Sequence, residues 1–391
     1  MFLTTHPYVF LGAVSLVLGL AAGFIMHRSD FCIAGMFRDL FLFRRFNLIR
    51  SFVLLVVATM LLFEAARLFG LLSAYPFPLL YAPTAANVIG GFLFGIGMVL
   101  AGGCVVGTLY KMGSGSVLSM TAFFGLIAGS GLYAEVHPAW SAFVRNTTFF
   151  PGKVTVAQIL DINPSVAVLA VLVPATMLLI SWRRSGAFMH PAFAAGYLQP
   201  SRAALALALI SAASYVLVGM PLGVTSTFTK AAGWIESVLL RGRYADLSFY
   251  TAVPLNFVHR LVGPAPLTGG PGPAYDALAA IQVPLIIGIV AGSAISAFLL
   301  GELRIVYRVP ARQYVMAASG GILMGLASRL APTCNVWHLL GGLPLLAASS
   351  LLFLAGILAG AWAGSLLLLR ILDAGAGRAG GQLCMTRNTS A

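Results

Sequence analysis

Residues 320–344 read GGILMGLASRLAPTCNVWHLLGGLP, and residues 90–115 read GGFLFGIGMVLAGGCVVGTLYKMGSG. Both stretches open on a glycine pair, carry a further glycine (Gly95, Gly325) and run as an apolar helix into a cysteine. The two cysteines, Cys104 and Cys334, stand 230 residues apart. Glycines resume after each: Gly107, Gly113 and Gly115 in the first stretch, Gly341 and Gly342 in the second. Small or helix-breaking residues flank both thiols, so each helix is expected to break there. A broken helix carrying a thiol, present in two halves of an apolar chain, is the layout of a transport site between internal repeats.

Composition sets the class. Of 391 residues, 60% are hydrophobic and 8% are charged, with a mean hydropathy of +0.96. A soluble chain of this length needs far more charge to cover its surface. The formal charge of +13 sits in loops between apolar runs, with no basic face interleaved with stacking aromatics, so no nucleic-acid partner is expected. Topology and contact with membrane lipid account for the charge, with attraction of an anion as a second role.

Nine runs are long enough to cross a hydrocarbon core of ~30 Å, over 8–26, 48–72, 85–103, 116–134, 164–182, 202–221, 280–301, 313–331 and 344–370. Shorter apolar pieces at 30–43, 104–112, 224–240 and 335–341 read as re-entrant half-helices, which membranes tolerate only inside protein or beside a cavity. The expected fold is therefore an all-α polytopic membrane protein with an inverted internal repeat. Five spans separate equivalent elements, so the second half enters the membrane in the opposite sense. One integral domain is expected, made of a half over 1–135, a connector over 136–200, a second half over 201–372 and a short cytoplasmic tail over 373–391.

Arginines cluster after the first span (Arg28, Arg38, Arg44, Arg45, Arg50), around the fifth and sixth (Arg183, Arg184, Arg202), between the seventh and eighth (Arg304, Arg308, Arg312) and after the ninth (Arg370, Arg378, Arg387). With nine spans all four clusters share one side, the cytoplasmic one, which places the N-terminus outside and the C-terminus inside. Within the halves, Gly23, Ser29, Cys32 and Gly35 align loosely with Gly219, Thr225, Phe228 and Gly233. Phe228 then falls where the first half has Cys32, and three thiols rather than four converge near the midplane.

These motifs resemble the YeeE/YedE family of sulfur-compound membrane transporters. The resemblance rests on Arg28-Ser29-Asp30-Phe31-Cys32 with Phe37-Arg38-Asp39 and Leu42-Phe43-Arg44, on Gly102-Gly103-Cys104, and on Cys334-Asn335 with His338 and Gly342-Leu343-Pro344. It covers both halves and implies nine helices with re-entrant segments, in a multi-pass protein of the bacterial inner (cytoplasmic) membrane. It implies inward passage of thiosulfate or a related small sulfur anion, pathway cysteines at Cys32, Cys104 and Cys334, and docking of a cytoplasmic sulfur-carrier protein. Pro332-Thr333 depart from the small residues usual before the third cysteine.

Thiosulfate is a dianion with a soft terminal sulfur and three hard oxygens. Thiols are weak donors, suited to binding an ion loosely enough to release it. They must be protonated, since a thiolate repels the dianion, and apolar burial favours the neutral form. Half-helix N-termini after Cys104 and Cys334 can offer N–H groups to the oxygens, and Gly102, Gly103 and Gly107 let backbone approach closely. Asn335 is a candidate cap or oxygen donor, His338 a donor or cap, and Lys111 and Arg329 candidate vestibule cations. Cys334 and His338 stand i, i+4, half of a metal site without a second half, so no metal or cofactor is expected. Arg28, Asp30, Arg38 and Asp39 are expected to pin the first re-entrant piece through ion pairs, and Glu64 to pair with Arg67. Gly91, Gly95, Gly356, Gly360 and Gly364 recur at helix-packing spacing. Cys384 lies in a loose glycine-rich tail with no expected role.

Three rivals remain at this level. One is a transporter of a selenium compound or sulfide, which meets the same thiols. Another is a membrane thiol relay that hands persulfide sulfur to a carrier, which needs a base beside the thiol. A third is a structural membrane subunit. The chain carries no GxxxxGK[ST] loop, which disfavours ATP-driven pumping by this polypeptide, and the leading reading is not an enzyme.

Overall fold

A computed structural model describes residues 6–188, 194–239 and 247–387, with side chains described through Ile371. Nine long helices dominate: α1 (Pro7–Ser29), α3 (Asn47–Leu68), α4 (Ala85–Leu100), α6 (Val117–Asn146), α7 (Pro164–Arg184), α8 (Pro200–Val218), α10 (Ala277–Leu299), α11 (Ala311–Leu330) and α12 (Ala348–Arg387). Three shorter ones lie between them, α2 (Ile33–Phe43), α5 (Val105–Gly113) and α9 (Thr225–Leu239), together with single turns at Val156–Ile159 and Ser248–Thr251. A π-helical turn, Trp337–Gly342, and a 3₁₀ turn, Leu343–Leu345, fill the fourth re-entrant position.

Among the described residues, eight helical stretches are long and apolar enough to cross a membrane. The ninth long helix, α11, has spanning length but carries Arg312, Gln313, Ser328 and Arg329. It is held between α4 and α6, with Gly320, Gly321, Met324, Gly325 and Ala327 buried. Two differences from the expected spans stand out. α6 runs on to Asn146 with Pro138 inside it, where a connector was expected. α12 continues as backbone helix through residues 373–387, the expected loose tail, and Cys384 lies beyond the described side chains. The loop after α9 also contains an antiparallel hairpin, β1 (Leu255–Val258) with β2 (Pro266–Gly269).

The breaks have local causes. After α1, Asp30 turns left-handed (φ 46) and its N–H closes on His27 and Met26 carbonyls. α4 stops at Gly102, φ +70, a conformation that favours glycine. α11 stops before Pro332, which has no N–H to continue the ladder. Gly219 caps α8 at φ 83.

Helices of opposite halves pack through glycine at backbone contact. Gly19 and Gly23 of α1 meet Leu285 and Ile289 of α10, while Gly288 and Gly292 return the contact at Leu16 and Leu20. Gly91 and Gly95 of α4 meet Phe353 and Ile357 of α12, and Gly356 and Gly360 meet Val88 and Phe92. Gly125 and Gly129 of α6 meet Ala318 and Ile322 of α11. In all three pairs residue numbers rise together, so the partners run parallel. α4 and α11 run antiparallel instead, since Gly97 meets Gly320 and Met324 while Gly90 meets Ala331. The two thiol-bearing broken helices thus cross the bundle in opposite senses. Exchanging the halves also maps α4·α12 onto α11·α6 and α1·α10 onto α8·α3, all of them observed packings.

The Gly360→Leu variant follows directly. A Cβ at Gly360 would lie 2.0 Å from the Phe92 carbonyl oxygen, so α4 and α12 must separate, at an overpacking cost of ~1–3 kcal/mol or more. Thermal unfolding in detergent should show a lowered midpoint. An unchanged midpoint would mean that the close helix contact does not stabilise the fold.

Candidate functional site

The short helices α2, α5 and α9 and the π-helical turn begin inside the bundle, and residues at their starts form two pairs. Cys32 precedes α2 with extended backbone, and Cys104 caps α5, its sulfur accepting the Gly107 N–H at 3.3 Å. Their sulfurs lie beside each other and face the same residue, Gly107. Gly107 presents its α carbon to both: a Cβ there would stand 2.9 Å from Cys32 Sγ and 3.3 Å from Cys104 Sγ. Both thiols are buried, 5% and 2% exposed.

Asn335 completes this first group. It is wholly buried, its amide is turned toward the Cys104 thiol, and neither amide atom has a protein partner in good hydrogen-bond geometry. An unpaired buried amide costs ~1–3 kcal/mol, so a group held there without a partner is free to bind something that enters.

The second pair sets Cys334, fully buried, beside Thr225. Thr225 Oγ1 also accepts from Arg329 Nη2 at 2.5 Å. Arg329 reaches the wall of a cavity of about 460 Å³ that Tyr81, His137, Arg145, Ser226 and Thr333 also line. Thr333 Oγ1 is buried there without a protein partner. The pair lies at the same helix starts as the thiol pair, with a hydroxyl on the first residue of α9 in place of the thiol just before α2.

The helix start corrects the loose alignment of the halves. α9 begins at Thr225, so Val224 stands immediately before it, as Cys32 does before α2. Phe228 lies one turn further in and packs edge-on against Phe123, centroids 5.5 Å apart. The loop from the left-handed cap to the short helix is longer in the second half, which spacing in the sequence alone does not reveal.

The other expected site residues are placed as follows. Gly102 supplies the carbonyl that accepts from Lys111 Nζ at 2.8 Å, and Lys111 bears electrostatically on Cys32. Gly103 N–H bonds the Met98 carbonyl at 3.1 Å, and an added Cβ would find its first neighbour at 3.5 Å, so close backbone approach is not what it provides. His338 is not turned to the thiols. Its Nε2 donates to the Ala331 carbonyl at 2.9 Å, so Nδ1 accepts from the Ser350 hydroxyl at 3.0 Å. The ring stacks on Phe353 at 4.3 Å, bracing the end of α11 against α12. Among the described residues no group of three or more His, Cys, Asp or Glu side chains comes together to hold a metal.

The expected ion-pair pinning of the first re-entrant piece is only partly formed. Arg38 pairs with Asp39 at 3.2 Å, but Arg28 donates to the Gly196 carbonyl and Asp30 accepts from the Tyr110 hydroxyl at 2.9 Å. The left-handed turn at Asp30 aims its carboxylate at α5 rather than back along α1. Glu64 and Arg67 do pair, at 2.6 Å. Lys230 is buried in α9 and holds Asp276 at 2.7 Å. Sequence reasoning missed Thr225 and Thr333 as polar groups of the site. Their signal is slight, a Thr-Ser-Thr run opening a helix and a threonine beside a cysteine.

A family profile for sulphur transport matches residues 28–363. Similar proteins include a thiosulfate transporter, TsuA, of Spirochaeta thermophila, 29% identical over 382 residues that cover 91% of this chain and 98% of that one. A thiosulfate transporter, TsuA, of Escherichia coli is 25% identical over 332 residues, 82% of this chain and 84% of that one. A probable transporter, YedE, of Escherichia coli matches 44% of this chain and 41% of its own length at 28% identity.

Proposed function

This chain belongs to the sulphur transport family, multi-pass membrane transporters of sulfur compounds, and from that premise we propose that it conducts thiosulfate or a closely related sulfur anion inward past its buried thiols. One observation carries the reading: two buried thiols that face the same α carbon, Gly107, stand at the inner helix starts, where a wholly buried amide, Asn335, lacks a partner. The amide offers N–H groups to hard oxygens, and the S–H groups offer weak donors to a soft sulfur. No covalent step is needed. The Arg329 cavity receives the ion, the Cys334–Thr225 pair follows, then Asn335 with Cys104 and Cys32, and Lys111 stands at the inner exit. The positive loops support a reading in which that exit faces the cytoplasm of a bacterial inner-membrane protein, N-terminus outside, and a sulfur-carrier protein docks on the arginine-rich face.

The persulfide-relay alternative needs a free base beside a thiol. The carboxylate nearest Cys32 in sequence, Asp30, is engaged by Tyr110, which weighs against it. A selenium compound or sulfide meets the same donors and is separated by competition.

Uptake of labelled thiosulfate into proteoliposomes, with selenite and sulfide as competitors, tests the reading. Saturable uptake by the wild-type protein is expected; none by well-folded protein would overturn it. Arg329→Gln should raise KM about ten-fold at little cost to the saturated rate, because losing one hydrogen bond from a cation removes ~1.5 kcal/mol of binding. An unchanged KM would take Arg329 out of the entry route.

A further inference from the structure

Helices α3 and α7 are pinned together at both ends and stand apart in the middle. At one end the Arg50 guanidinium lies over the Trp182 ring, 5.9 Å from its centroid. At the other, Arg67 donates to Ser165 Oγ at 2.6 Å and Ser165 donates to Glu64 at 2.7 Å. Between these clasps lies a cavity of about 590 Å³ with an apolar lining, including Val56 and Met60 of α3, Ala170 and Ala175 of α7, and Leu346 and Leu354 on the third side. Little of α7 is covered by the rest of the protein, since only 11% of its apolar window is buried. The crevice therefore opens to the bilayer.

The lining on α3 extends from Phe52 to Met60, about 12 Å of helix, close to the ~15 Å of one leaflet's share of the hydrocarbon core. Its mouth is basic. Arg50 stands two residues before Phe52, and Arg183 and Arg184 end α7 beside Trp182 as exposed side chains. Cations at the head-group level above a chain-sized apolar slot match a negatively charged phosphate on an acyl tail.

We propose that this crevice is the site of a resident anionic phospholipid, one acyl chain between α3 and α7 and its phosphate among Arg50, Arg183 and Arg184. The lipid sits where it supports the transport segment. Val156 N–H bonds the Leu346 carbonyl and Ala348 N–H bonds the Val154 carbonyl, each at 2.9 Å, so the loop leading into α7 is tied to the chain that follows the π-helical turn. A chain wedged against Leu346 and Leu354 props that turn from behind.

Native mass spectrometry of detergent-extracted protein, with phosphatidylglycerol or phosphatidylcholine of matched acyl chains added, tests this without reference to transport. One phosphatidylglycerol is expected to be retained at least ten-fold more tightly than phosphatidylcholine. Combining Arg50→Ala, Arg183→Ala and Arg184→Ala should bring the ratio near one, and Ala170→Trp, which fills the slot, should weaken both lipids. Equal retention of the two lipids by the wild-type protein would overturn the proposal. So would retention indifferent to all four substitutions, or a lipid-free dimer that closes the crevice with a second copy. Because the arginine variants lie at the surface, the test stands even if the tryptophan variant misfolds.

Discussion

Gly107→Ala is expected to cut thiosulfate uptake roughly 5- to 150-fold while leaving the protein as stable as before. Gly107 is the third residue of α5, and its α carbon faces both sulfurs of the inner pair. The added methyl would stand 2.9 Å from Cys32 Sγ and 3.3 Å from Cys104 Sγ, in the space where an ion held by both thiols must place its own sulfur. Overpacking costs ~1–3 kcal/mol, and each ~1.4 kcal/mol is ten-fold, which gives the range. Two opposing effects act on the fold. A thiol must rotate slightly to admit the methyl, yet alanine favours helix over glycine by ~1 kcal/mol. The near balance is what makes the variant informative, because the loss falls on the ion-occupied state. Initial uptake at low substrate, read beside thermal unfolding, checks it. Full uptake by a folded Gly107→Ala protein would remove the thiol pair from the path.

What the sequence reveals of this site follows from how local the physics is. Cys104 and Cys334 are legible because the residues that break their helices, Gly102 and Pro332, stand beside them in the chain. The glycine rows of α4 and α12 are legible because a four-residue spacing marks one helix face. Asn335 facing Cys104 is not, since that contact joins chain positions more than 200 residues apart and depends on the antiparallel crossing of α4 and α11. The counterpart of Cys32 was misplaced at Phe228 for a related reason: loop length between a cap and the next helix is free to vary. His338 looked like a ligand by its spacing from Cys334. Its ring is instead taken up by Ala331, Ser350 and Phe353, partners supplied by tertiary packing. The hairpin of β1 and β2 is too short for its alternation to stand out in an apolar chain. α11 illustrates the converse: Arg312 and Arg329 weaken its apolar signal, and packing against α4 and α6 holds it in the bundle nonetheless.

The Cys32→Ala and Cys104→Ala variants should each lose uptake by roughly 10- to 150-fold, the worth of a hydrogen bond to a charged group at ~1.5–3 kcal/mol. Cys104→Ala should be the more damaging, because its sulfur also accepts the Gly107 N–H that opens α5, and Asn335 faces it. The double variant distinguishes two mechanisms. If both S–H groups grip the same sulfur of the ion, removing the first already loosens the second, and the combined loss falls well short of the product of the two single losses. If the thiols act in succession on an ion moving past, each sets its own barrier. The slower step then governs, and the double variant resembles the worse single one. A combined loss equal to the product would mean independent contributions to one barrier, which contact between the sulfurs makes hard to sustain. Uptake at the wild-type level in a folded double variant would sink the thiol pathway altogether. The contact between Cys32 and Cys104 is the physical reason to expect coupling: weak donors placed singly would hold a hydrated dianion poorly. Placed together beside an amide that already lacks a partner, they replace part of its water without binding it too tightly to leave.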